Sequence, residues 1–309
     1  MSNKKSITMF LSLLVMIVIL AACNSSEATH EPRAMYDREG YAITLPDEIN
    51  TIVVLGASSA EILIGLGFAD RIILVDSFSF DVEGLPRDVV ADFGFMDFDA
   101  EYIVNMMPDL IFVTGMTRGG GADSPMAPVS AAGINVIHMP TSSSIAEIKE
   151  DIRFIATVME ATEAGENLIS TMEAEINQIA AIAAGITTTR TVYFEISPSP
   201  WTVSFGTGTF LHEMMELIGA TNVFADQEGW ISISDEVILE LNPDVILTST
   251  DFLPDPISDI AERPGFDVIT AVQNGDIFYI DTASSNRPTH NITRAMREMA
   301  QAVFPEYFQ

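Results

Sequence analysis

The chain predicts an α/β fold of two lobes. Each lobe is a parallel sheet covered by helices; one long rigid helix joins them, and a ligand cleft lies between. Three observations carry this. Short apolar runs, of which Ile52-Val53-Val54-Leu55 is the first, alternate with helical stretches, as parallel strands buried on both faces require. A segment in the first half recurs almost position for position in the second. Between the halves lies a nearly unbroken helical region. With 309 residues, 48% of them apolar, the chain has ample material for such cores.

The first residues stand apart. Lys4 and Lys5 precede an apolar run from Ile7 to Leu20 broken only by Thr8 and Ser12. That run is short for a hydrocarbon core of about 30 Å and fits a signal peptide over residues 1–22. It ends Leu20-Ala21-Ala22-Cys23, which resembles the lipobox of bacterial lipoproteins. The resemblance implies cleavage before Cys23 and acylation of its sulfur, and two or more acyl chains hold a protein stably on a membrane. Residues 23–45 then read as a lipidated, flexible tether.

Residues 46–160 make the first lobe. After strand 52–55 come Gly56-Ala57-Ser58-Ser59, a helix stopped by Gly67, and strand 71–75. Ser144-x-x-Glu147 is a capping box, and Ile145, Ile148, Ile152, Ile155 and Met159 form a helical stripe. A second stripe (Ile169, Met172, Ile176, Ile179, Ala183) marks the connecting helix within residues 161–185, whose roughly 22 helical residues at 1.5 Å each are about 33 Å long. A helical link makes lobe closure small and stiff. Residues 186–309 repeat the strand–helix grammar from Thr191-Val192-Tyr193-Phe194 onward.

Acidic residues number 44 against 14 Lys plus Arg, a net charge of −30 that repels phosphate backbones, so nucleic acid is excluded as a partner. The single cysteine allows no internal disulfide. Enzyme signatures are missing too. There is no P-loop, Gly206-Thr-Gly208 lacks the third glycine of a dinucleotide fingerprint, and Gly56-Ala-Ser58-Ser-Ala60 lacks the second glycine of a nucleophile elbow. His212-Glu213-Met-Met-Glu216 superficially resembles a zinc-protease helix without its second His. A metal site would need His138, His212, His290 and Glu61 to converge. The expectation is a binding protein with no catalytic residue, no bound metal of its own and no cofactor; a metal-dependent enzyme or free-metal binder is the rival class.

Open α/β sheets bind ligands at the carboxyl ends of their strands. The loops there carry Ser58, Phe78, Phe95, Arg118, Trp201 and Trp230, aromatic walls with a few polar groups that suit a bulky, partly apolar ligand. The recurring segment is Asp99-Ala-Glu101 through Pro108-Asp109, matched by Ser234-Asp-Glu236 through Pro243-Asp244. Each Glu follows its N-cap by two residues. Favourable helix-end electrostatics explains one such Glu, worth about 0.3–1 kcal/mol, but not its repetition in both lobes. Two carboxylates flanking one cleft mouth suit a two-fold partner with basic pockets.

In these stretches, and in Ser58 through Gly67, Pro198 to Trp201, Gly229 through Glu236, and Asn286-Arg287-Pro288, the chain resembles the class III substrate-binding proteins of ABC importers. That family captures ferric siderophores, haem and cobalamin. The resemblance implies that Glu101 and Glu236 engage arginines of a permease dimer. It implies also that Trp201, Trp230 and Arg287 line the cleft, and that a monomer on the outer face of the cell membrane delivers a small-molecule metal chelate. A cobalamin binder of the family has aromatics where this chain has Thr114 and Glu195, so an iron complex is expected ahead of cobalamin or haem.

Overall fold

The computed structural model describes residues 33–86, 88–89, 94, 98–115 and 124–308. The signal peptide, Cys23, Phe95 and Arg118 lie outside the described residues.

The first lobe holds strands β3 (Ile52–Leu55), β4 (Ile72–Val75), β5 (Leu110–Thr114) and β6 (Asn135–Met139), in the order β4-β3-β5-β6 and parallel throughout. The second holds β7 (Thr191–Glu195), β9 (Thr221–Asn222), β11 (Val245–Thr248) and β12 (Ile277–Tyr279), in the order β9-β7-β11-β12 and again parallel. The two orders are the same once each lobe is numbered from its own first strand. A short antiparallel pair, β8 (Val203–Phe205) with β10 (Trp230–Ser232), is added to the second lobe.

Helices α1 (Ala57–Gly65), α2 (Ala100–Met106) and α3 (Ala127–Ala131) make the crossovers of the first sheet. Then α4 (Ile145–Val158) leads through Met159 to Ala161 into α5 (Thr162–Ala183), the connecting helix. The second lobe carries α6 (Phe210–Leu217), α7 (Asp235–Leu241), α8 (Pro256–Ala261), α9 (Thr270–Asn274), α10 (Thr282–Asn286) and α11 (Ile292–Val303). Among the described residues, no helix is long and apolar enough to cross a membrane.

Strand alternation sorts the core. Val53, Leu55, Ile111 and Val113 pack on one face of the first sheet, and Tyr193, Ile246 and Ile277 on the corresponding face of the second. The opposite faces, through Ile52, Val54, Phe112, Val192, Phe194 and Leu247, join one continuous cluster. Ile152, Ile155, Ile169, Met172, Ile176 and Ile179 of α4 and α5, with Met296 and Met299 of α11, complete it. The lobes thus share a packed core along the connecting helix. Close-packed interiors resist shear, which limits how far the lobes swing.

One expectation is corrected. Residues 33–45, read as the end of a flexible tether, form a paired hairpin of β1 (Arg33–Tyr36) and β2 (Ala42–Leu45). Ile43 and Leu45 enter the core, and Asp37, 6% exposed, accepts bonds from the Tyr41 and His138 backbone N–H groups at 2.8 and 2.9 Å. Arg38 bonds the Asp151 carboxylate at 2.7 Å. Burial of this kind offsets the ordering entropy that a polar tether cannot recover.

Candidate functional site

The carboxyl ends of β3, β5 and β6 face the turn that follows α10. Together they enclose a cavity of about 170 Å³ lined by Ser58, Ser59, Thr114, Thr141, Asn286 and Pro288, among others. Gly56 shapes its floor. Its φ of +146° is a region that L side chains rarely adopt, and a Cβ there would lie 2.4 Å from Thr114 Cγ2. Asn286 is tied to the second sheet by the Ser249 hydroxyl, just past β11, which donates to its Oδ1 at 3.1 Å. The strand-carboxyl edge of the first sheet and the 286–288 turn of the second lobe therefore meet at this cavity, on the side where such sheets place ligands.

Of the proposed ligand residues, Ser58 lines the cavity directly. Phe78 is 61% exposed on a short 3₁₀ turn (Ser77–Ser79). That turn is set by Asp76, whose carboxylate accepts the Phe78 N–H at 2.8 Å; Asp76 is wholly buried, and burial pushes its carboxyl above the usual range. Trp201 is 80% exposed in the loop between β7 and β8. Trp230 is half exposed, edge-on to Phe205 and Phe210 with ring centroids 6.2 and 6.4 Å away. Neither tryptophan lines the cavity itself. Arg287 does not present a free cation to the cleft: Nη1 donates to Glu61 at 3.0 Å, and Nη2 donates to the Phe78 carbonyl at 3.3 Å and to Asp81.

Pattern reading missed two exposed aromatics and the buried pairing of Glu195. Phe80 and Phe252 are large exposed aromatics on the same class of loop. Glu195, at the end of β7, is 1% exposed and held by both arms of Arg263 at 2.6 and 2.9 Å, with the Tyr193 hydroxyl donating at 3.0 Å. The residue types were legible; a partner 68 positions away was not. The three histidines of the folded region have separate partners or surroundings. His138 faces Asp37, His212 faces Asn222 and Glu216, and His290 packs on Gly65. Among the described residues, no group of three His, Cys, Asp or Glu is placed to hold a metal ion.

Two larger cavities differ in kind. One of about 570 Å³ lies beside α7, lined by Phe224, Ile231, Ile233, Val237 and Leu241, and belongs to the second lobe alone. The other, about 530 Å³, runs between the lobes past Glu61, Asp81, Arg287, His290 and Arg294. Its cations are already paired, Arg287 as above and Arg294 with Asp281 at 3.3 Å.

Glu101 and Glu236 are both exposed in the first turns of α2 and α7. Each helix runs into the next parallel strand of its sheet, α2 into β5 and α7 into β11, so its first turn, with the Glu, lies toward the strand-carboxyl edge of its own lobe. Both helices end in a left-handed residue, Met107 (φ 48°) and Asn242 (φ 45°), followed by Pro-Asp. A bond with the Ser234 side chain and Glu236's own backbone N–H hold the Glu236 carboxyl below its usual range, so it is anionic at neutral pH.

A family model described as periplasmic binding protein matches residues 52–283. Over 320 aligned residues the chain is 27% identical to YvrC of Bacillus subtilis (strain 168), an uncharacterized ABC transporter substrate-binding lipoprotein, with 99% of each chain covered. A cobalamin-binding protein of Halobacterium salinarum is also 27% identical, over 86% of this chain and 72% of that one. Among solved structures, a possible iron-binding (periplasmic solute-binding) protein from Staphylococcus epidermidis superposes with a TM-score of 0.71 at 25% identity. That match covers 84% of this chain and 100% of the other.

Proposed function

We propose, from the premise that the chain belongs to the periplasmic binding protein family, that it is the substrate-binding component of an ABC importer and captures a ferric-siderophore-type chelate. It is a binding protein and not an enzyme. The observation that carries the reading is the cavity between the strand-carboxyl edge of the first sheet and the 286–288 turn of the second lobe.

At about 170 Å³ the cavity seats one end of a chelate. Typical small-molecule sites run to about 300–1,000 Å³, so the rest of the ligand would extend beyond this cavity, and the exposed Phe78, Trp201 and Trp230 are the aromatic faces proposed to meet it. Ser58, Thr114 and Thr141 supply hydroxyls to the seated end. Iron is favoured over a flat tetrapyrrole because Thr114 and the sealed Glu195 give no stacking surface. Cobalamin remains the second reading, supported by the Halobacterium relative.

Glu101 and Glu236 would carry the loaded protein to a permease dimer with basic pockets. Exposed ion pairs contribute only about 0–1 kcal/mol apiece, so these would set register and encounter rate more than affinity. Cys23 would carry the lipid anchor that keeps the protein on the outer face of the membrane.

Isothermal titration against a ferric trihydroxamate, a ferric tricatecholate, haem and cyanocobalamin tests the ligand. Saturable heat with a ferric chelate is expected. Heat with cobalamin or haem alone would replace the iron reading, and silence with all four would contradict both.

A further inference from the structure

Glu61 lies on α1, one turn beyond the cavity-lining Ser58, and is 7% exposed. Its carboxylate accepts three hydrogen bonds: Arg287 Nη1 at 3.0 Å, Thr289 Oγ1 at 2.8 Å and Asn291 Nδ2 at 2.8 Å. All three donors come from residues 287–291, the turn between α10 and α11 of the opposite lobe. The other arm of Arg287 returns to the first lobe at the Phe78 carbonyl and Asp81.

The glycine one turn further along α1 completes the fit. A Cβ on Gly65 would lie 2.8 Å from His290 Cε1 and 3.2 Å from Leu168 Cδ2 of the connecting helix. The missing side chain lets the turn and the connecting helix close on α1 together.

Stability alone does not call for this arrangement, since well-packed apolar residues often replace a buried ion pair without loss. What a satisfied buried network supplies is a fixed geometry. The elements it joins are those that wall the cavity: Ser58 and Ser59 on α1, Asn286 and Pro288 on the turn. We infer that Glu61 is a positioning residue that clasps the two lobes through the 287–291 turn and sets the width of the cleft before any ligand arrives. The inference rests on these contacts, independent of the ligand's identity and of the importer reading.

Spin labels at the exposed positions Asn105→Cys on α2 and Glu240→Cys on α7, in the full chain with Cys23→Ser, report the separation of the lobes without any ligand. The parent protein should give a single narrow distance distribution. Glu61→Ala should lose that narrow peak, as should Arg287→Ala and Thr289→Val, which carry the test if Glu61→Ala does not fold. A merely structural role would lower the melting temperature of these variants and leave the peak unchanged. Folded variants with the parent distribution would overturn the inference.

Discussion

Asp109 and Asp244 make the same contact in the two lobes. Asp109 Oδ2 accepts the Thr51 N–H at 2.8 Å and the Thr51 hydroxyl at 2.9 Å, and Asp244 Oδ2 accepts the Thr191 N–H and hydroxyl, both at 2.8 Å. In each case the aspartate just before the third strand of a sheet is bolted to the residue at the start of its first. The Pro-Asp echo in the sequence is thus a repeated lock on strand register.

Asp109→Ala and Asp244→Ala should each lose about 1–3 kcal/mol, read from urea midpoints, because each leaves backbone and hydroxyl donors without their acceptor. The losses should add in the double variant, since the two locks share no partner. Burial pushes the Asp109 carboxyl up, but bonds from Asn50 and Thr51 outweigh it and hold the group below its ordinary 3.8. The folded pKa lies under the unfolded one. This contribution is therefore intact above pH 3.8 and fades only as pH falls through the folded value.

The same contact shows where sequence reading succeeds and where it stops. Parallel strands announce themselves as apolar runs because both faces are buried, and the stripes of α4 and α5 announce helices because one face is. Glu101 and Glu236 stood out because the chain repeats. Residues 33–45 did not, because two four-residue strands with alternating burial look like polar linker until Asp37 finds His138, 101 positions on. Glu61 was visible as a helical acid, but its partners lie more than 220 positions away. Periodicity within a segment fixes which face is buried; it carries no information on which distant donor meets that face.

Arg263→Ala should be far more damaging than its loop position suggests. It strands Glu195, 1% exposed, without the guanidinium that neutralises it. Removing one partner of a buried pair costs about 3–5 kcal/mol, whereas Arg263→Met combined with Glu195→Leu should recover most of that loss. Chemical denaturation of the two single variants and the double checks it. Additive single losses would contradict the pairing.

His290 should make stability fall with acid. Burial pushes its imidazole below the ordinary 6.5, more than the neighbouring Glu61 carboxylate pushes it up. The unfolded chain then takes up a proton that the folded chain resists, so stability is full above pH 6.5 and declines as pH drops from there toward the folded value. Unfolding free energies between about pH 8 and pH 5 should slope less in His290→Asn than in the parent. Parallel slopes would show that the group is as free to protonate folded as unfolded.

The delivery claim is tested most directly by charge reversal at the two corners. Glu101→Arg with Glu236→Arg, measured in cells or proteoliposomes carrying the permease and a labelled ferric chelate, should abolish uptake while titration gives an unchanged affinity for that chelate. Undiminished uptake would contradict the account, and so would affinity lost in step with uptake, because the two carboxylates would then belong to the cleft and not to the docking face.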